Sequence, residues 1–287
     1  MIVTRFAPSP TGFLHIGHAF AALTAWQAAR DRDGKFLLRI EDIDLARCRQ
    51  EFEQAIFEDL SWLGIAWETP VRRQSQHFDD YSAAIKRLEL KGLVYPCFCT
   101  RQEIAAEIAR AGIAPHADEF TGASYPGTCR SLSSAERSER IHLGAAYALR
   151  LDCEKAQASI GMPNLGFEEL GSGPLGQTGY QRAHPEWIGD IVLARKNLPT
   201  SYHLAVVVDD AMQGVTVVTR GQDLFPATHI QRLLQELLGL TAPQYMHHRL
   251  ILNPDGKKFS KRDGAVTLRS LRNSGVSPQE IRRMIGM

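Results

Sequence analysis

The chain has 287 residues, about 1.9 times a ~150-residue domain unit, which allows one large domain or a core carrying one inserted subdomain. Apolar residues make up 44% and charged residues 23%, which excludes disorder, collagen-like repeats and a disulfide-dense miniprotein. With 33 basic and 32 acidic residues the net charge is only +1, so a nucleic-acid partner would have to be held by local basic patches and not by a global field.

From the N-terminus, Met1 to Phe6 reads as a short strand closed by the Pro8-Ser9-Pro10-Thr11-Gly12 turn. A helix is expected from about Ile16 to Arg30, with Ile16, Phe20, Leu23 and Trp26 at helical spacing. No Asp, Glu, Lys or Arg falls between Phe6 and Ala29, but this helix would be only roughly 24 Å long against roughly 30 Å of hydrocarbon. It is expected in a core and not in a membrane. No basic segment with a small-residue cleavage site precedes it, so a cytoplasmic protein is expected.

Phe36 to Ile40 reads as a buried strand, and helices are expected at about Glu51 to Leu63 and Asp79 to Lys91. Strand, helix, strand, helix argues for a parallel α/β sheet. From Pro96 to about Gly189 the alternation is lost until Ala148 to Asp152, and the cysteines cluster, so an inserted module is expected there. Sheet-like apolar runs return at Leu204 to Val208 and Val215 to Thr219, followed by a helix from about Thr228 to Leu238. A basic loop, Lys257 to Gly264, and a basic helix ending Gln279 to Met284 complete the chain.

Three features carry chemistry. The turn from Arg5 to Gly12 leads into His15-Ile16-Gly17-His18 at the mouth of the first helix, where backbone N–H groups and the helix dipole attract phosphate. Gly17 would let a nucleotide base approach the backbone, and His15 and His18, three apart, share a face. The second feature, Gly256-Lys257-Lys258-Phe259-Ser260-Lys261-Arg262-Asp263-Gly264, places four cations in six positions and can close over a polyphosphate. The third is Cys97-x-Cys99 with Tyr125 and Cys129, where three thiolates suit Zn²⁺. Chemistry alone offers His116, His142 or Cys153 as a fourth ligand, and Cys48 and Cys153 otherwise read as bystanders. Asp209-Asp210 reads as a strand-end pair capping the sheet, and Trp62, Trp67 and Trp187 as core or subdomain contacts.

His15-Ile16-Gly17-His18 together with Lys258-Phe259-Ser260-Lys261-Arg262 resembles the paired HIGH and KMSKS signatures of class I aminoacyl-tRNA synthetases, with Phe259 and Arg262 departing from the second. Arg5 to Gly12, Leu38-Arg39-Ile40-Glu41-Asp42, Ala205 to Asp210 and Thr219-Arg220-Gly221 resemble the glutamyl-tRNA synthetase group, and the likeness covers most of the chain outside about Arg101 to Gly122. The length resembles the free-standing glutamyl-queuosine tRNA(Asp) synthetase family and not a full glutamyl-tRNA synthetase.

The resemblance implies a Rossmann-like class I core with an inserted zinc-bearing subdomain, a short helical C-terminal region and no anticodon-binding domain. Its expected boundaries are 1–95 and 190–240 for the catalytic halves, 96–189 for the insert, and 241–287 for the KMSKS loop and helices. It implies activation of L-glutamate by ATP with Mg²⁺, without tRNA, and transfer to queuosine at the wobble position of tRNA(Asp), by a monomer. His15, Gly17, His18 and Lys261 would hold ATP, with Lys258 as a helper; His15, His18, Lys258 and Lys261 would be the catalytic set. Arg5, Phe6, Ala7, Pro8, Ser9, Glu41, Tyr202 and Arg220 would form the glutamate pocket, the arginines as carboxylate forks and Glu41 for the ammonium. Cys97, Cys99, Tyr125 and Cys129 would hold one structural Zn²⁺, although the 25 residues between Cys99 and Tyr125 exceed the usual length. The rival expectations are a glutamyl-tRNA synthetase core that charges the tRNA 3′ end, and a non-catalytic tRNA-binding paralogue.

Overall fold

The computed structural model describes residues 1–110, 125–161, 164–252 and 266–287. The first half is built from β1 (Val3–Phe6), α1 (Ile16–Arg30), β2 (Lys35–Ile40), α2 (Gln50–Trp62), β3 (Glu68–Arg73) and α3 (Phe78–Leu90). β4 (Val94–Cys97), α4 (Arg101–Arg110), α5 (Ser134–His142), β5 (Ala148–Leu151), α6 (Cys153–Ile160), β6 (Gly166–Glu169), β7 (Gly179–Arg182) and β8 (Val192–Ala194) follow. The last part contains α7 (Tyr202–Met212), β9 (Val217–Gly221), α8 (Phe225–Leu238), β10 (Gln244–His248), α9 (Leu268–Asn273) and α10 (Pro278–Met284).

β1, β2 and β3 form a parallel sheet in that order, and β9 and β10 pair in parallel, with β6 parallel to β10 and β7 antiparallel to β6. The two sheets meet where the Thr216 N–H donates to the Val3 carbonyl at 2.9 Å and the Val3 N–H donates to Thr216 Oγ1. This seam is where the chain order reverses, because β1 has β2 on one side and β9 on the other. Ligands of open α/β sheets bind outside the carboxyl ends of the strands at such a point. The expected α/β parallel architecture is present. The segment 96–189, expected as an inserted module, divides between two sheets. β4, β5 and β8 form a small antiparallel sheet, whereas β6 and β7 extend the parallel one.

α1 packs a run of small side chains, Ala19, Ala22, Ala25 and Ala29, against β1 and β2, with Phe20 and Leu23 in the same core. Leu268, Ile281 and Ile285 bury the two C-terminal helices in the same core. Leu204 to Val208, expected as a strand, lies in α7. Every one of these residues is buried between neighbouring elements, so the run is apolar all round and carries no helical stripe. A short continuous apolar run cannot be told from a buried strand by period alone. Asp209 and Asp210 therefore sit on a helix and do not cap a strand end. Trp62 and Trp67 pack on the core around α1 as expected, but Trp187 is half exposed and stacks on His184 at 4.4 Å. Among the described residues no helix is long and apolar enough to cross a membrane.

α9 is pinned to α2 by Arg272, which lies 3.0 Å from Glu58 Oε2 and 3.4 Å from Asp59 Oδ1. Asp59 is fully buried, and neither carboxyl oxygen accepts a hydrogen bond. Burial therefore raises its pKa to about 6 despite Arg272. The folded state disfavours the ionised form, so this cost is absent below about pH 4 and fully developed above about pH 6. Stability is expected to fall as pH rises through that window. Asp59→Asn should flatten this part of the urea midpoint profile and raise Tm at neutral pH; an unchanged slope would show that the carboxylate is solvated.

Candidate active site

The charge that organises this region is buried. Arg39, from β2, is fully buried; its Nη1 lies 2.7 Å from Asp210 Oδ1, its Nη2 3.2 Å from Glu41 Oε1, and its Nε 3.7 Å from Asp209 Oδ2. Arg5, from β1, donates from Nε to the same Asp210 at 3.1 Å and from Nη1 to the Thr219 carbonyl of β9. Asp209 turns the other way, accepting from Arg72 Nε, Gln74 Nε2 and the Tyr81 hydroxyl at 2.8 to 3.0 Å. The two arginines hold the Asp210 carboxyl below its ordinary range against the opposing effect of burial, which is the largest influence on it. Arg39 is held well above the usual guanidinium value despite burial, by Asp210, Glu41 and Asp209 in turn.

Above this network lies a cavity of about 190 Å³, lined by Arg5, Phe6, Ala7, Glu41, Tyr202 and Arg220 among others. β1, β2, α7 and β9 thus bring six expected pocket residues together. Pro8 is buried beside them, its carbonyl accepting the Glu41 N–H at 3.1 Å, but Ser9 is exposed on the turn and is not part of the lining. Burial raises the Glu41 carboxyl above its ordinary value, with Arg39 opposing, so a cation entering the cavity would restore its charged form. Arg220 is held by neutral groups only: Gln231 Oε1 at 2.7 Å, Thr228 Oγ1 at 2.6 Å and His247 Nε2 at 3.1 Å. No described carboxylate forms an ion pair with it. A buried guanidinium so arranged is a binding point for an anion.

The His15–His18 tetrapeptide forms the start of α1. His15 is its N-cap and accepts the Gly17 N–H on Nδ1 at 3.1 Å, while His18 Nδ1 accepts the His15 N–H at 3.2 Å. With both Nδ1 atoms acting as acceptors, a neutral ring carries its proton on Nε2. A Cβ at Gly17 would lie 3.0 Å from the His15 ring, so the glycine keeps this cap in place. Lys258 and Lys261 lie outside the described residues. The chain on either side of them docks on the same helix. The Arg249 guanidinium stands 4.7 Å over the Phe20 ring, and the Leu268 N–H donates to the Leu14 carbonyl at 2.7 Å beside a His15–Thr267 bridge.

The thiols of Cys97, Cys99 and Cys129 lie within 4.8 Å of one another, and the Tyr125 hydroxyl is 3.4 Å from Cys97 Sγ and 3.6 Å from Cys99 Sγ. Three sulfurs on a tetrahedral Zn²⁺ with bonds of ~2.3 Å would stand about 3.8 Å apart, so this set fits such an ion with little movement. Without a cation, burial pushes the Cys99 thiol up to about 12. His142 and Cys153 are not in the cluster, and His116 lies outside the described residues. Thr228, Gln231, His247 and Glu169 were not expected at this site. β10, which carries His247, reads Gln-Tyr-Met-His-His and has no apolar run to mark it as a strand.

The family model for the catalytic domain of class I tRNA synthetases (E and Q) matches residues 1–287. The chain belongs to this family and is a ligase of the class I synthetase type. A glutamyl-Q tRNA(Asp) synthetase from Rhodobacter capsulatus is 47% identical over 292 residues, covering 100% of both chains. A second, from Nocardia farcinica, is 45% identical over 96% of this chain and 81% of the relative. Within the family the chain groups with the glutamyl-Q tRNA(Asp) synthetases. A solved glutamate tRNA ligase from Elizabethkingia meningosepticum, in complex with its amino acid, superposes with a TM-score of 0.71 at 28% identity over 92% of this chain and 52% of that one. The present chain spans about half the length of that ligase. The class I synthetase family uses ATP with Mg²⁺.

Breaking a buried ion pair from one side costs about 3–5 kcal/mol. Arg39→Met should therefore lower the unfolding free energy by about that amount in urea titration, because Asp209, Asp210 and Glu41 would share too few cations. A loss below about 1 kcal/mol would mean the carboxylates are hydrated or protonated at little cost.

Proposed function

We propose that the protein activates L-glutamate with ATP·Mg²⁺ and transfers the glutamyl group to queuosine at the wobble position of tRNA(Asp). The observation that carries this reading is the cavity with Arg5 and Arg220 on its walls and Glu41 beside them. Glutamate is a dianion with one ammonium, and this pocket presents two buried guanidinium groups and one carboxylate. Similarity to glutamyl-Q tRNA(Asp) synthetases over the full length supports the acceptor.

In the first step a glutamate α-carboxylate oxygen forms a bond to the α-phosphorus of ATP. The bond from that phosphorus to the bridging oxygen breaks, and pyrophosphate leaves with the negative charge. No enzyme nucleophile or base is needed; alignment and charge stabilisation suffice. His15 and His18 donate from Nε2 to phosphate oxygens, and Lys261, with Lys258, neutralises the leaving pyrophosphate. The docking of residues 249 and 266–268 on the start of α1 supports the approach of the two motifs. In the second step a queuosine hydroxyl oxygen bonds to the glutamyl carbonyl carbon, the bond from that carbon to the adenylate phosphate oxygen breaks, and AMP leaves while the hydroxyl proton passes to phosphate or water.

Cys97, Cys99, Tyr125 and Cys129 would hold one Zn²⁺, whose positive charge would stabilise the ionised thiols and whose binding would add to folding stability.

Three outcomes are expected. Glutamate-dependent ATP–pyrophosphate exchange should proceed without tRNA, and radiolabelled glutamate should appear on the anticodon nucleotide of queuosine-containing tRNA(Asp) only. Label on the 3′ adenosine would favour the glutamyl-tRNA synthetase core, and no exchange would favour a tRNA-binding paralogue. Lys261→Ala should lower turnover about 100-fold or more, as loss of a transition-state contact does, while the glutamate KM stays within a few-fold. Cys129→Ser should reduce bound zinc, measured by mass spectrometry, from about one per chain to a small fraction and lower Tm; unchanged zinc content would reject the four-ligand set.

A further inference from the structure

Arg220 is braced by a second layer that no pocket motif contains. Its Nε donates to His247 Nε2 at 3.1 Å, and on the far side of the same ring Nδ1 lies 2.5 Å from Glu169 Oε2. Both side chains are completely buried. Glu169 is itself fixed, because its other oxygen accepts the N–H groups of Gly171 and His247, each at 2.9 Å. The turn is closed tightly around it: a Cβ at Gly171 would lie 2.3 Å from the His247 carbonyl and 3.0 Å from Glu169 Oε1. Burial first, with Arg220 nearby, holds the His247 imidazole down at about 4 against the pull of Glu169, so the ring is neutral.

These contacts determine the tautomer. A carboxylate can only accept, so the ring proton stays on Nδ1 and the Nε2 lone pair faces Arg220. Arg5 and Arg39 meet carboxylates directly, whereas Arg220 meets its countercharge through a neutral ring. Its plane is set by three acceptors, and two of its five N–H groups remain for a ligand.

We propose that Glu169 and His247 are positioning residues that orient Arg220 for a carboxylate of the amino-acid substrate while leaving its charge unneutralised. This rests on the glutamate-pocket reading above and extends it to two residues from β6 and β10.

The decisive variant is Glu169→Gln, which keeps shape and volume. The backbone N–H groups of Gly171 and His247 claim its amide oxygen, so its NH₂ must face Nδ1. The ring proton then moves to Nε2, whose neighbours are the Arg220 N–H, now facing it donor to donor, and Thr228 Oγ1 at 3.3 Å, so Arg220 loses this acceptor. Glutamate Kd by calorimetry should rise about tenfold or more, and glutamate KM in pyrophosphate exchange should rise with it. ATP KM should stay within about twofold, and histidine ¹⁵N signals should report the change from Nδ1–H to Nε2–H. His247→Gln, which can place an oxygen near the Nε2 position, should bind glutamate better than His247→Asn, which keeps only a donor toward Glu169.

A tautomer change with unaltered glutamate affinity would overturn the proposal, as would equal losses in His247→Gln and His247→Asn. Arg220→Ala separates the two levels. If it leaves glutamate affinity intact, the pocket reading fails and the proposal with it. If it abolishes binding while Glu169→Gln changes neither glutamate nor ATP affinity, only the positioning role is lost.

Discussion

Asp210 holds the site together. One buried carboxylate accepts from Arg5 of β1 and Arg39 of β2 while belonging to α7, so two strands from the first half of the chain are bound to a helix from the second. A buried charge is costly unless paired, and that cost makes the arrangement specific. Arg5, Arg39 and Arg72 are set against Glu41, Asp209 and Asp210, with Asp80 at the margin of the group. Displacing any one element would strand several of these charges in a dry interior.

The same network separates two kinds of arginine at the cavity. Arg5 has given part of its fork to Asp210 and serves the scaffold as well as the pocket. Arg220 has given its inner edge to an amide, a hydroxyl and a ring nitrogen. Low local dielectric strengthens both attractions, but only the second is largely unspent on protein carboxylates.

Helix α1 joins the pocket to the His15–His18 tetrapeptide. Its first turn is capped by its own histidines, and its Phe20 and the neighbouring Leu14 receive the chain from both sides of residues 253–265. The C-terminal helices then bury Leu268, Ile281 and Ile285 in the core around α1, and Arg272 binds α9 to α2. The chain on both sides of residues 253–265 is thereby held against the helix whose N-terminus bears His15 and His18.

Local signals in the sequence determined the parallel α/β class and the span of α1, whereas the two synthetase-like motifs and the expected pocket residues came from resemblance to a family. Helical spacing, a Pro/Gly turn and the run Thr219-Arg220-Gly221 act over a few residues and survive as text. Tyr125 was placed with the thiols by resemblance, and the structure puts its hydroxyl beside two of them. The nature of α7 was not legible, because burial on every side erases the polar face that distinguishes a helix from a strand. The assignment of Asp209 and Asp210 depended on that, since on the helix both carboxylates are buried, Asp210 against Arg5 and Arg39 and Asp209 against Arg72 and Arg39. Glu169 and His247 stand 78 positions apart on strands without a strong sequence signal. Only the pairing of β6 with β10 brings them together behind Arg220, because a tautomer relay depends on distance and direction in space and leaves no spacing along the chain.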